Sequence, residues 1–257
     1  MNNQIDLNCD LGEYDHLVDG NHDAAIMPFI SSCNVACGQH AGNPAVIEQT
    51  VRLAFDNQVN VGAHPSYPDR ANFGREVMAM SEVDLQSIFL EQISLVQETV
   101  NRLNGRLSHI KPHGALYNQA AQDKDLAMML IETMINFDTN LMFYGLAHSA
   151  TAWAAEQLGA QFVAEGFVDR GYTAERTLQP RTEPGALISN PEEMLQRALS
   201  MIEIGQIEAV NGASIALSIE TLCIHGDHNN AVQTAKTLNH GLINAGIRLQ
   251  APKHQGS

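Results

Sequence analysis

The residues best suited to chemistry lie in segment 109–118, which reads His-Ile-Lys-Pro-His-Gly-Ala-Leu-Tyr-Asn. The segment is predicted to begin as a short strand and to break at Pro112. Side chains two residues apart share one face of an extended segment, so we expect His109, Lys111 and His113 on the same face. Two imidazoles and an ammonium group that project together at a strand end indicate a catalytic site, and a loop held only by hydrogen bonds is the alternative.

Further ionisable side chains follow the other predicted strands, where a parallel α/β fold places its reactive groups. These strand-end groups are Asp10, Glu13, His40, His64, Lys111, His113, Glu165, Asp169, Arg170, His225 and Asp227. We predict a catalytic set that consists of Asp10, Glu13, His40, His64, Lys111 and His113. We predict that the substrate is bound by Glu165, Asp169, Arg170, Arg181, His225 and Asp227. Carboxylates and imidazoles together favour hydrolysis by an activated water, with or without a metal.

A catalytic metal needs about three protein ligands and one open position, and Asp10, His64 and His113 could supply the ligands. His109 and His113 also have the four-residue spacing that pairs ligands on a helix. Pro112 argues against a helix there, so that spacing is weak evidence. The sequence leaves open whether a divalent metal is bound.

The alternation of side chains in extended segments predicts which of them face the site. Lys111 and His113 should line an open cavity while Ile110 packs into the protein, so replacing either of the first two should not unfold the chain. In the predicted strand 5–10, the side chains that share one face are Asp6, Asn8 and Asp10. That polar face could be a solvated edge or the inside of a barrel.

The chain alternates between predicted strands and helices about seven times. Strands are predicted at 5–10, 30–37, 59–64, the start of 109–118, 141–145, 161–165 and 221–225. Helices are predicted weakly at 19–29, from the start signals Asn43-Pro44 and Ser81, and at 125–137, 149–158, 190–204 and 230–245. The pattern favours a parallel α/β barrel with its site at the carboxyl ends of the strands, and a doubly wound open sheet is the alternative. The long polar segment 166–190 is typical of a lid or a binding loop.

The composition limits the class of protein and its partners. The chain has 257 residues, of which 44% are apolar, and a net charge of −15. We expect a single domain over residues 1–250 with a frayed tail over 251–257, and we expect neither nucleic acid nor a membrane as a partner. The N-terminal residues contain no signal-peptide pattern, which predicts a cytoplasmic location. The cysteines fit no Cys-x-x-Cys motif, so we expect free thiols and no structural zinc.

Three familiar catalytic or nucleotide-binding signatures are absent from the sequence. The chain contains no Gly-x-x-x-x-Gly-Lys-[Ser/Thr] phosphate loop, no Gly-x-Gly-x-x-Gly fingerprint and no Gly-x-Ser-x-Gly elbow. A phosphate-loop ATP site and an elbow serine nucleophile are therefore not supported.

Several motifs in the same order resemble the LamB/YcsF family over roughly residues 4–247. The segments that carry the resemblance are 8–13, 34–42, 62–69, 111–117 and 165–172. The resemblance implies a seven-stranded barrel similar to that of polysaccharide deacetylases. It also implies ATP-dependent opening of 5-oxo-L-proline to L-glutamate, with partner subunits B and C. ATP would then be used through the complex, because this chain lacks a familiar nucleotide motif.

The roles of individual residues in such a reaction stay open. The carboxylate of the small-molecule substrate could pair with Arg170, Arg181 or Lys111, and Asp10 or His113 could act as general base. Two other functions are compatible with the residues. One is a stand-alone metal-dependent hydrolase related to deacetylases, and the other is a non-catalytic binding subunit.

Overall fold

Seven parallel strands form a closed barrel with helices around it. The computed structural model describes residues 4–16, 21–226 and 230–253. Its strands are β1 (Gln4–Leu11), β2 (Ser32–Ala36), β3 (Asn60–His64), β4 (His109–Ile110), β5 (Met142–Leu146), β6 (Gln161–Phe167), β7 (Gln206–Glu208), β8 (Ser214–Ala216), β9 (Thr221–His225) and β10 (Arg248–Leu249). Strands β1 to β6 pair in chain order, and β9 pairs in parallel with both β6 and β1, which closes the barrel. The barrel rather than the open sheet is therefore correct.

The helices that surround the barrel mostly begin where the sequence predicts. They are α1 (Asn21–Ile26), α2 (Pro44–Asp56), α3 (Glu82–Arg102), α4 (Gly114–Ala120), α5 (Lys124–Phe137), α6 (Ala150–Leu158), α7 (Pro191–Leu199) and α8 (Ala231–Asn244). The side chains of Asn43, Ser81 and Asn190 accept hydrogen bonds from backbone N–H groups in the first turns of α2, α3 and α7. In the described part of the chain, no helix is both long and apolar enough to cross a membrane.

The polar face of β1 lies inside the barrel. Asp6 accepts hydrogen bonds from hydroxyl groups at four positions, which are Ser31, Ser32, Tyr144 and Thr221. Asn8 donates to Glu165 and Thr221, and Asp10 lies at the upper end of the same row. The opposite face, with Leu7, Cys9 and Leu11, belongs to the apolar core shared with the helices. The barrel interior, rather than a solvated edge, is thus the correct alternative.

Several elements differ from the sequence-based expectation. The weak helix at 19–29 is α1 followed by a 3-10 turn at Met27–Phe29, and residues 17–20 lie outside the described part. The helix expected at 190–204 is α-helical only to Leu199, and a π-helical turn completes it. Helix α4, the antiparallel hairpin of β7 and β8, and β10 beside β1 are not predicted by the sequence pattern. The domain limit at residue 250 stays a prediction.

Close packing inside the barrel gives a first testable prediction. Gly62 of β3 lies against the ring of His109, and a Cβ atom at position 62 would overlap that ring. His109 also contacts Asn34 Oδ1 at 2.8 Å and stacks on Tyr144, so a shift of its ring would disturb both contacts. We expect Gly62→Ala to lower the free energy of unfolding by about 1–3 kcal/mol, measured by urea denaturation. The exposed substitution Ser218→Ala is the control, and equal stability of the two variants would contradict the packing argument.

Candidate active site at the mouth of the barrel

A cavity of about 540 Å³ opens at the carboxyl ends of the barrel strands. The predicted site residues that line it are Asp10, Glu13, His64, Lys111, His113, Arg170, Arg181 and His225. Asp227 lies outside the described residues. The segment 166–190 contributes a wall that includes Gln179 and Arg181. The strand-end groups therefore converge as a parallel barrel requires.

Two histidines and an aspartate form the most buried part of the cavity floor. His64 Nε2 lies 2.9 Å from His113 Nδ1 and 3.3 Å from Asp10 Oδ2. Burial alone would raise the pKa of Asp10, but the charges of His64 and Lys111 outweigh it and hold that pKa well below its ordinary value. Burial lowers the pKa of His113 well below its ordinary value. The floor thus combines a carboxylate anion with a neutral imidazole, which is the protonation state that a general base needs.

Glu13 and His40 support this floor from one side. Glu13 Oε1 lies 3.3 Å from His113 Nδ1 and 3.2 Å from His40 Nε2. The His40 ring stacks on the His113 ring with 3.9 Å between centroids. His40 is buried behind Glu13 and His113 and is not among the residues that line the cavity, and its catalytic role stays a prediction.

Lys111 lies deeper than the sequence predicts. Its side chain is 2% exposed, and its ammonium group is 3.0 Å from Asp10 Oδ1 and 2.9 Å from Glu165 Oε1. It also donates to Asn8 Oδ1 and approaches Cys223 Sγ at 3.0 Å. Burial alone would lower the pKa of Lys111, but the carboxylates of Asp10 and Glu165 raise that pKa well above its ordinary value. Lys111 lines the cavity as predicted, but its cation also balances buried carboxylates, which the sequence does not predict. Ile110 packs in the core, as predicted.

The substrate-binding predictions divide into residues that face the cavity and residues that lie behind it. Glu165 is fully buried beside Lys111, and Asp169 lies behind His225, with 2.6 Å between Asp169 Oδ2 and His225 Nδ1. Arg170 lines the cavity but donates to the backbone carbonyls of Gln179 and Ala186. Among the described residues of this set, Arg181 and His225 are the better placed to touch a ligand, because Arg181 is exposed at the rim.

Sequence reasoning did not select some residues that shape the site. Tyr117 and Phe167 line the cavity, and their rings meet edge to face at 5.6 Å. Asn34 donates to Asp10 Oδ1 at 2.8 Å and so helps to orient that carboxylate. Tyr117 could have been found, because it lies one helical turn after His113 on α4. Asn34 offered no local signal, since its partner is on a different strand.

A second prediction concerns a buried carboxylate beside the loop that follows β1. Asp23 Oδ2 accepts a hydrogen bond of 2.7 Å from the Gly12 N–H, and burial raises the pKa of Asp23 from 3.8 to about 7. A raised acid pKa means that the folded state binds the proton more tightly. The ionised form therefore destabilises the fold increasingly as pH rises from about 4 to 7, by up to about 4 kcal/mol.

We accordingly expect Asp23→Asn to stabilise the protein by about 1–3 kcal/mol at pH 8 and by much less at pH 5. Chemical denaturation at the two pH values measures this difference. Asp56→Asn, which changes an exposed carboxylate of α2, is the matched control. A gain for Asp23→Asn that is the same at both pH values would contradict the assigned cause.

Comparisons with known proteins agree with the motifs in the sequence. The LamB/YcsF family model matches residues 5–256. A Bacillus thuringiensis subsp. konkukian protein, named as the A subunit of 5-oxoprolinase, is 43% identical over 250 residues, covering 97% of this chain and 99% of the relative. The protein of the same name from Pyrococcus furiosus is 42% identical and covers 96% of both chains. A lactam utilization protein from Thermus thermophilus, known from a crystal structure, superposes with a TM-score of 0.91 at 38% identity, over 97% of this chain and 100% of that one. The chain therefore belongs to the LamB/YcsF family.

Proposed function

We propose that this chain is the A subunit of an ATP-dependent 5-oxoprolinase, which opens 5-oxo-L-proline to L-glutamate together with subunits B and C in the cytoplasm. The observation that carries the proposal is the cluster of His64, His113 and Asp10 on the floor of a cavity large enough for a five-membered lactam. The names of the relatives at 42–43% identity support the substrate.

Ring opening requires water to add to the lactam carbonyl. A water molecule on the cavity floor gives a proton to the imidazole of His113 or to the carboxylate of Asp10. Its oxygen forms the new bond to the carbonyl carbon. The carbon–nitrogen bond then breaks, its electron pair goes to the nitrogen, and the nitrogen takes up a proton. The product is an open chain with a new carboxylate and an amine. Lys111, fixed beneath Asp10, favours the negative charge that develops during the addition.

The substrate carboxylate needs a cation at the opposite end of the cavity. Arg181 at the rim is the group that can move to meet it, and such a pair can form two parallel hydrogen bonds. The guanidinium of Arg170 already donates hydrogen bonds to backbone carbonyls of the same cavity wall, so Arg170 shapes the cavity next to Arg181.

An unstrained lactam is an unreactive amide, so its hydrolysis gains from coupling to ATP. Transfer of the γ-phosphoryl group of ATP to the amide oxygen, with release of ADP, would give a better electrophile for water. After the carbon–nitrogen bond breaks, a second water hydrolyses the resulting acyl phosphate, which releases phosphate and leaves glutamate. Because the sequence contains no phosphate loop, we assign the handling of ATP to the partners B and C, and the delivery of water to this chain.

The deciding experiment measures 5-oxoproline-dependent ATP hydrolysis with this chain alone, with subunits B and C alone, and with all three. We expect glutamate and phosphate only when all three are present, and no sustained ATP turnover by this chain alone. Turnover by B and C without this chain would overturn the proposal. A catalytically silent variant such as His240→Ala, on the exposed face of α8, should behave as the wild type.

A second candidate function is a metal-dependent amide hydrolase that acts without partners. It is favoured by the nitrogen and oxygen ligand atoms of Asp10, His64 and His113, which lie within 4.8 Å of one another. Hydrolysis of a simple amide or acetamide by the chain alone, abolished by a chelator, would favour this function over the first.

A further inference from the structure

The hydrogen bonds around the cavity floor fix which nitrogen of each histidine carries its proton. His64 Nδ1 lies 2.7 Å from the Lys111 carbonyl oxygen, and His113 Nε2 lies 2.9 Å from the Phe73 carbonyl oxygen. A carbonyl oxygen can only accept, so both of these ring nitrogens are donors. In the neutral rings, the remaining nitrogens, His64 Nε2 and His113 Nδ1, are therefore acceptors with a lone pair.

These two acceptor atoms point at each other instead of at donors. The separation between them is 2.9 Å, and Asp10 Oδ2 adds a third acceptor 3.3 Å from His64 Nε2. Because all three side chains are buried, repulsion among their lone pairs is poorly screened. Such a group of acceptors is stable only if a cation or an additional proton lies among them. An additional proton on either ring would satisfy the 2.9 Å contact, and a bound metal ion would take the place of that proton.

The same atoms are oriented from behind, as metal ligands are in proteins. Each imidazole donates its second N–H to a backbone carbonyl, and the other oxygen of Asp10 is held by Lys111 at 3.0 Å and by Asn34 at 2.8 Å. Outer hydrogen bonds of this kind fix the tautomer and the direction of metal-binding groups. Ligand atoms of His64, His113 and Asp10 thereby lie within 4.8 Å of one another.

The spacing of these atoms also suits a small divalent ion. Ligands about 2.0–2.1 Å from a tetrahedral zinc ion are separated from each other by about 3.3 Å. The two separations from His64 Nε2, 2.9 Å to His113 and 3.3 Å to Asp10, are close to this value. Two imidazole nitrogens and one carboxylate oxygen match the donor set of zinc and of similar transition metals, and calcium or magnesium would prefer oxygen ligands alone.

We propose that Asp10, His64 and His113 bind one divalent transition-metal ion of the zinc class, with the fourth position open to the cavity. The inference rests on hydrogen-bond geometry and does not depend on the proposed reaction. With the ion bound, Asp10 and His113 are ligands and no longer the general base, and Glu13 takes that role instead. With the three ligand atoms occupied, the carboxylate of Glu13, 3.3 Å from His113 Nδ1 and held by His40, is the remaining acceptor for a proton of water in the cavity.

The test measures binding by the full chain without substrate. Protein stripped with a chelator is titrated with Zn²⁺ by calorimetry and with Co²⁺ by visible absorption, which reports tetrahedral coordination. We expect one site per chain, and at least a hundredfold weaker binding in His113→Ala and in Asp10→Asn. His240→Ala, which removes an exposed imidazole of α8, should bind as the wild type does. Failure of the wild type to bind, or binding that is unchanged in both site variants, would overturn the proposal.

A measurement on the wild type keeps the test decisive if a variant does not fold. Nitrogen-15 NMR of the histidine side chains should show that His64 Nε2 and His113 Nδ1 shift when Zn²⁺ is added. His64 Nδ1 and His113 Nε2 should keep their protons throughout. Shifts at other histidines only would overturn the assignment. Absence of metal binding would leave the ATP-coupled assay as an independent test of function, so the two proposals can fail separately.

Discussion

Replacing His113 by alanine should lower the turnover of 5-oxoproline in the reconstituted complex by a hundredfold or more. The magnitude is that of a general acid–base contribution, and loss of a metal ligand would cost at least as much. The imidazole lies on the cavity floor and contacts both His64 and Glu13, so its removal disturbs the whole group that activates water. Steady-state glutamate formation with all three subunits measures the effect.

The fold should survive this substitution. His113 precedes α4, makes no side-chain cap to it, and borders the cavity, so alanine leaves space into which water can enter. Circular dichroism and the denaturation midpoint of the variant check this point, with His240→Ala as the matched control on α8. A folded His113→Ala variant with full activity would show that the cavity floor takes no part in the reaction. An unfolded variant would instead assign His113 a structural role.

The sequence predicts the barrel well because its signals are local. Alternation in β1 places Asp6, Asn8 and Asp10 on one face, and the closed sheet makes that face the interior. Helix starts at Asn43 and Ser81 need only a side chain and the next turn of backbone. Such features depend on residues close together in the chain and therefore survive without knowledge of the tertiary structure.

Some short elements escape prediction even though a local signal exists. The hairpin of β7 and β8 turns near Asn211-Gly212, a dipeptide that favours tight hairpins. Its strands have only three residues each, which is too short for alternation to be recognised. The strand β10 has two residues and exists only because β1 offers an edge to pair with.

The sequence predicts the candidate site as a set of residues but not as an arrangement. His40 and Glu13 are 27 residues apart, and their contact depends on how β1 and the loop after β2 meet. Asp169 and His225 are 56 residues apart and form a pair whose outer member does not reach the cavity. The alternation of side chains along a strand predicts the face of the sheet on which each side chain lies. The depth of that side chain along the barrel axis depends on the stagger of neighbouring strands, which the sequence does not reveal.

Lys111 is the residue for which the depth in the barrel matters most. Lys111 lines the cavity as the sequence predicts, but its ammonium group is enclosed between the carboxylates of Asp10 and Glu165. Both partners are 5% exposed or less. Removing the cation would leave the buried carboxylate of Glu165 without its counter-ion and would leave Asp10 with His64 alone. A change expected to affect only catalysis should therefore also affect stability.

We expect Lys111→Met to lower the free energy of unfolding by about 3–5 kcal/mol, because breaking a buried ion pair leaves an uncompensated charge. Urea denaturation of the isolated chain measures the loss. Lys236→Met, at an exposed position of α8, is the matched control and should change stability by less than about 0.5 kcal/mol.

The loss of stability in Lys111→Met should be partly reversed by adding Glu165→Gln. This second substitution removes the unbalanced negative charge and keeps an amide oxygen for the 2.9 Å hydrogen bond from Asn8. Coupling between the two substitutions, rather than simple addition of their costs, is the signature of the pair. A Lys111→Met variant as stable as the control would show that water reaches this depth of the barrel and screens the two carboxylates.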